Sequence, residues 1–247
     1  MIRCKKFWNN KKIIPFALLT SSFLLTACGG SSSSSSGSSG TAESASINGT
    51  AAVGAAITDA EVTAKCQDGS GLLANTVTDE AGQFTGSVSE DALPCALRVT
   101  HPDGTPYHSL ATGGGTVNIT PLTDLAIALS GVTPTQWYDS RDIAATAGVL
   151  DQRKAELVAQ MEGKGYTIPE NFDPFRNDFT IGDAHDQILD DLGEAIQDTQ
   201  SIESHQALVV LVRDGNLGLI PAAPNNNSSI PLPGPNQGCA TGSDTCQ

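Results

Sequence analysis

Between residues 45 and 120 apolar and polar side chains alternate in short runs, and turn residues break the alternation roughly every 8–12 residues. A helix would need a period near 3.6 held over ten or more residues, and this stretch never holds one. Ala60 to Cys66 sets Val62, Ala64 and Cys66 on one face and Glu61, Thr63 and Lys65 on the other. Ala45 to Thr50, Leu73 to Thr78, Gln83 to Val88, Cys95 to Thr100 and Thr116 to Ile119 supply further strands. Gln67 to Gly71, Asp79 to Gly82 and His101 to Gly104 supply turns. Strands this short and this evenly spaced fit a small antiparallel sandwich. Aromatic residues make up only 5% of the chain, so Val, Ile, Leu and Ala must fill thin layers rather than one deep core.

Beyond residue 120 the period changes. Asn118-Ile119-Thr120-Pro121-Leu122-Thr123-Asp124-Leu125 leads from the last strand into a helix, with Thr120 or Thr123 as cap and Pro121 in the first turn. Helices are expected at 134–147 and 151–163. A third, at 183–199, buries Ile188, Leu189, Leu192 and Ile196. The apolar run 206–212 fits a buried helix or a strand. Trp137-Tyr138 reads as core or as the junction between the two parts. The expected class is α+β, with a sandwich at 45–120, a helical domain at 121–220 and a Pro/Asn-rich disordered tail at 221–247.

The first 27 residues differ from the rest. A basic start (Arg3, Lys5, Lys6, Lys11, Lys12) precedes thirteen mostly apolar residues from Ile13 to Leu25. Thirteen is too few to cross a hydrocarbon core that takes about 20 residues as a helix. A charged start, a short apolar middle and small residues at its end mark a secretory signal. Leu25-Thr26-Ala27-Cys28 resembles the lipobox of bacterial lipoproteins. The resemblance implies cleavage before Cys28, a lipid on its sulfur and amine, and partnership with a membrane through that anchor. Gly29, where an Asp would favour the inner membrane, implies the outer one. Residues 28–44 then act as a Ser/Gly-rich tether. Of six cysteines, Cys4 leaves with the signal and Cys28 carries lipid. The other four suit disulfides in an exported protein, and closeness in sequence pairs Cys66 with Cys95 and Cys239 with Cys246.

A second resemblance rests on Gly49-Thr50, Gly54 to Val62 and Thr78-Asp79-Glu80-Ala81-Gly82-Gln83-Phe84. These runs resemble the carboxypeptidase-regulatory-like, or transthyretin-like, sandwich, an Ig-like fold, although Ala56 replaces the usual proline and Asp59 the usual glycine. The turn makes physical sense. Gly82 permits positive φ, Asp79 caps with its side chain, and Phe84 enters the core. The resemblance implies a non-catalytic accessory or binding module without a cofactor.

The formal net charge is −14, and loss of the five basic residues of the leader makes it more negative still. Nucleic acid is excluded as a partner, because a phosphate backbone needs a Lys/Arg face that is missing. No serine-nucleophile elbow and no phosphate loop occurs. The four histidines are His101, His108, His185 and His205. His101 and His108 read as hairpin residues, and His185 as part of a solvated helix start. Asp186, Asp190 and Glu194 fall four residues apart on one helix face, where a solvated surface is expected and a weak divalent-ion site is the alternative. The leading expectation is a membrane-anchored accessory that binds an envelope protein or supports the envelope. A hydrolase using acids of the helical segment, and an adhesin pairing through a sandwich edge strand, are the alternatives.

Overall fold

The computed structural model describes residues 43–140 and 142–224. The fold is α+β, with two sheets facing each other and helices against the outer side of one of them. In the three-stranded sheet, β1 (Ser44–Thr50) lies in the middle, antiparallel to β4 (Gln83–Ser89) and parallel to β7 (Gly115–Thr116). The four-stranded sheet runs in the order β3 (Thr76–Val77), β2 (Glu61–Cys66), β5 (Cys95–Thr100), β6 (Pro106–Ala111), all antiparallel.

The alternation read from the sequence sets the inner faces. Ile47, Phe84 and Val88 from the first sheet meet Val62, Cys66, Cys95, Leu97, Val99, Tyr107 and Ala111 from the second. Full burial of a side chain such as Phe84 contributes about 1.5–3 kcal/mol. Cys66 and Cys95 stand opposite each other in register and form a disulfide. The Asp79 turn forms as its residues suggest. Gly82 has φ 74°, the Asp79 carboxylate accepts from the Ala81 and Gln83 N–H groups, and Phe84 is buried. Asp59 takes φ 52°, in the left-handed region, which Asp tolerates better than most residues.

The four-stranded sheet is the middle layer. Its other face presents Ala96 and Leu110 to a second core built by helices. The first helix, α1 (Pro121–Ala128), is buried along its whole length. Thr120 caps it and exchanges side-chain bonds with Thr123, while Pro121 occupies the first turn, where no N–H is needed. Around α1 lie α2 (Pro134–Ser140), α3 (Ile143–Ala147), α4 (Leu150–Gly163), α5 (Ala184–Asp198) and α6 (His205–Arg213). Trp137 and Tyr138 are both buried, and Tyr138 lies against the sheet, its hydroxyl donating to Thr63 while Lys65 and Arg98 cover its ring. Among the described residues no helix is long and apolar enough to cross a membrane.

Three expectations change and one left open is decided. The strand expected at Thr116 to Ile119 is only Gly115–Thr116. Of the run from Leu73 to Thr78 only Thr76–Val77 pairs as strand, and Leu73 is exposed. Helix 134–147 is two helices, α2 and α3, divided near Asp142. The run 206–212 is helical, because Ser204 caps it by accepting from the Ala207 N–H. Replacing both Cys66 and Cys95 by Ala opens a loop of 29 residues' separation. Chain entropy puts the expected loss at roughly 3–4 kcal/mol, read as a lower urea midpoint with a steeper slope, because the unbridged unfolded chain exposes more surface.

Candidate functional site

The outer face of the three-stranded sheet and the loop before α5 enclose a cleft of about 530 Å³. Its floor is Asn48, Gly49 and Thr50 of β1 with Gln83, Phe84 and Thr85 of β4, and its wall is Asn118, Asp178, Phe179, Thr180 and Asp183. Gly49 is needed here, since a Cβ would stand 2.2 Å from the Val117 carbonyl oxygen. The wall is held by its own polar groups. Asn118 accepts from the Thr50 N–H and donates to the Asn177 and Pro174 carbonyls. The Thr50 hydroxyl donates to the Phe179 carbonyl, and the Thr116 hydroxyl to Asp178 Oδ1. Asp183 uses both oxygens, accepting from Thr180, His185 and Asp186 N–H groups as it caps α5. The floor differs: Asn48, Gln83 and Thr85 are exposed, and their side chains make no hydrogen bond among the described residues.

A second polar group holds the helices onto the sheet. Asp124 is 1% exposed, and its Oδ1 accepts from both the backbone N–H and Nδ1 of His108, each at 2.9 Å. His205 Nε2 stands 3.5 Å from Oδ2, and the His205 ring lies against Tyr107. Thr123 donates its hydroxyl to the His108 carbonyl. Burial works to raise the Asp124 carboxyl, but the imidazoles of His108 and His205 outweigh it and hold the group below the usual carboxylate range. The Thr123 and Asp124 side chains thus serve the outward N–H and C=O of His108 on β6, as a neighbouring strand would. Gln206 does the same for the Pro106 carbonyl.

The start of α5 is not the solvated surface expected. His185 is 4% exposed, packed between Phe172 and Phe179 at ring distances of 4.8 and 4.0 Å, and neither ring nitrogen has a hydrogen-bond partner among the described residues. Burial pushes its pKa down to about 4, against smaller opposing pulls from Asp183 and Asp173. Asp186 is also buried. Burial raises its carboxyl, the Gly182 N–H pulls it back, and the Asp190 and Asp183 charges add to the rise.

Asp186, Asp190 and Glu194 therefore do not share one surface, since Asp190 and Glu194 are exposed while Asp186 is not. Among the described residues no group of three or more His, Cys, Asp or Glu is placed to hold a metal ion. His101 pairs with Asp103 in its turn, whereas His108 is in the core. Cys28, Cys239 and Cys246 lie outside the described residues. The sequence reading gave Asp124 no role beyond its place in the junction run, and its signal was a carboxylate inside a helix start made of apolar neighbours. The floor of the cleft was legible only as outward strand positions.

No protein-family model, no curated protein and no solved structure matches this chain.

Removing the Asp124 carboxylate by Asp124→Ala leaves the His108 N–H buried and unpaired, with an expected cost of about 3–5 kcal/mol in urea unfolding. Asp124→Asn, which keeps an acceptor, costs less. His185 sets a pH dependence. Its folded pKa of about 4 lies below the unfolded value, so the unfolded chain binds the extra proton between them. Its contribution is complete above about pH 6.5 and falls away toward pH 4, a loss of ~3 kcal/mol at 1.36 kcal/mol per unit. Asp186 works in the opposite direction just above its unfolded value, because its folded pKa is raised. Unfolding of His185→Phe across pH 4–7 is expected to lack the His185 slope.

Proposed function

We propose that this chain is an envelope lipoprotein, lipid-anchored at the outer membrane through Cys28, whose folded part is a non-catalytic binding or structural accessory held on the serine tether. We further propose that its two sheets are a transthyretin-like member of the Ig-like sandwiches. The observation that carries the first reading is the Leu25-Thr26-Ala27-Cys28 run between a short apolar leader and Ser31–Ser36. The Cys66–Cys95 disulfide supports export, since such bonds persist in oxidising compartments. The Asp79 turn and the positive φ of Asp59 support the sandwich class.

The geometry favours the accessory over the two alternatives. A hydrolase built on the acids of the helical segment would need Asp186 and its neighbours to converge on one accessible surface, and Asp186 is buried while Asp190 and Glu194 are exposed. An adhesin pairing through an edge strand would find β6 occupied by the side chains of Thr123, Asp124 and Gln206, which leaves β3, β4 and β7 as the edges for that alternative. Binding is assigned instead to the cleft beside β1 and β4, where the wall is internally fixed and the floor groups are uncommitted.

The anchor is tested by expressing the full chain and its Cys28→Ser variant in a bacterial host supplied with labelled palmitate. The full chain is expected to take up label and to partition with membranes. The variant is expected to remain unlabelled and longer by the leader. Label or membrane partition unchanged in the variant overturns the reading.

A further inference from the structure

The outward face of the three-stranded sheet carries no charged residue in its paired rows. Ser44 faces Ser89, Ser46 faces Ser87, Asn48 faces Thr85 and Thr50 faces Gln83, with Thr116 of β7 beside Asn48. The inward positions between them, Ala45, Ile47, Phe84 and Val88, belong to the core or pack against it. In a chain of net charge −14, a sheet face of hydroxyls and amides alone is distinctive. The rows from Ser44 to Thr50 form a track of ~20 Å at strand rise, and the track runs into the 530 Å³ cleft.

We propose that this track and cleft bind a neutral polyhydroxylated chain, a glycan segment without carboxylate or phosphate. The inference rests on the reading of the protein as a binding accessory and assigns its ligand class. Side-chain amides and hydroxyls both donate and accept, as sugar hydroxyls do, so Asn48, Gln83 and Thr85 match that chemistry at either polarity. An anionic ligand finds no cation among the residues that line the cleft, and the protein's overall field repels it. A cationic ligand needs converging carboxylates. Asp183 spends both oxygens on backbone N–H groups, and Asp178 already holds Thr116 through one of its two. Phe179 is buried against His185, so the cleft offers no open stacking platform and recognition runs through hydrogen bonds. The wall is already held by Asn118, Thr50 and Asp183, so binding need not order it.

The test titrates the full chain as its bacterial host exports it, in detergent micelles, with three neutral tetrasaccharides: β-1,4-linked glucose, α-1,4-linked glucose and β-1,4-linked N-acetylglucosamine. Spermidine and a tetragalacturonate serve as cationic and anionic comparisons, and amide shifts are followed by NMR. At least one neutral probe is expected to shift Asn48, Gln83 and Thr85 and their strand neighbours, with affinity unchanged when salt is raised to ~0.5 M. The triple variant Asn48→Ala, Gln83→Ala, Thr85→Ala is expected to weaken binding at least about tenfold. Its melting temperature should be unchanged, because those side chains are exposed. Asn48→Ala alone repeats the test if the triple variant is destabilised. The proposal is overturned if all three neutral probes leave these amides unmoved, if spermidine or tetragalacturonate binds more tightly, or if binding survives the variants. Membrane partition depends on Cys28 and is scored separately. An anchored protein that binds no glycan refutes only this inference, and a glycan binder that is not lipidated refutes only the anchor.

Discussion

The bond between Asp124 and His108 is the constraint on which the rest of the molecule depends. One carboxylate, sealed from water, satisfies a backbone N–H and an imidazole on β6 and faces a second imidazole on α6. A lone buried charge would cost several kcal/mol, so its partners must arrive with it. They come from two elements, the edge strand and the last helix, and meet the carboxylate on a third, the buried helix. The adjoining residues extend the same function. Thr120 and Thr123 close the helix start, and Asn118 reaches the other way to join β1 to the loop at 174–177. Seven consecutive residues, 118–124, therefore join the sandwich to the helices on one side and to the cleft wall on the other.

Much of this was legible in order but not in depth. Alternation of period two fixed which residues of β2, β4 and β5 face inward, and the Asp79 turn followed from its own residue types, because strand faces and turns are local properties. The cap at Thr120, the proline at the first turn and the apolar stripe of α5 were legible for the same reason. The burial of Asp186 and His185 was not. Four-residue spacing says which side chains share a face, but whether that face is wet depends on Phe172 and Phe179, which the chain supplies from a separate loop. Asp124 was equally opaque, because His108 and His205 lie on other elements. The strand expected at Leu73 to Thr78 shortened because the chain before Thr76 leaves β2, where Leu73 donates its N–H to the Ser87 carbonyl of β4.

The cleft divides its labour in a way that bears on recognition. Its wall is made of polar groups committed to one another, and on its floor the side chains of Asn48, Gln83 and Thr85 make no hydrogen bond among the described residues. In the proposed binding role, a site whose wall is held in this way keeps its shape when empty, and shape with uncharged hydrogen bonding is what it offers a ligand.

The side chains that finish the edge of β6 also impose an order on the molecule's assembly. Synthesis delivers every strand of the sandwich before Thr123, Asp124 and Gln206 exist to cover that edge. Until α1 emerges the outward groups of His108 are open to pairing with any extended segment nearby, and until α6 emerges so is the Pro106 carbonyl. The C-terminal helix is thus the closing piece of the sheet as well as a member of the bundle. A chain cut short before residue 205 would carry an intact set of strands with His108 still covered by α1 and the Pro106 carbonyl left bare.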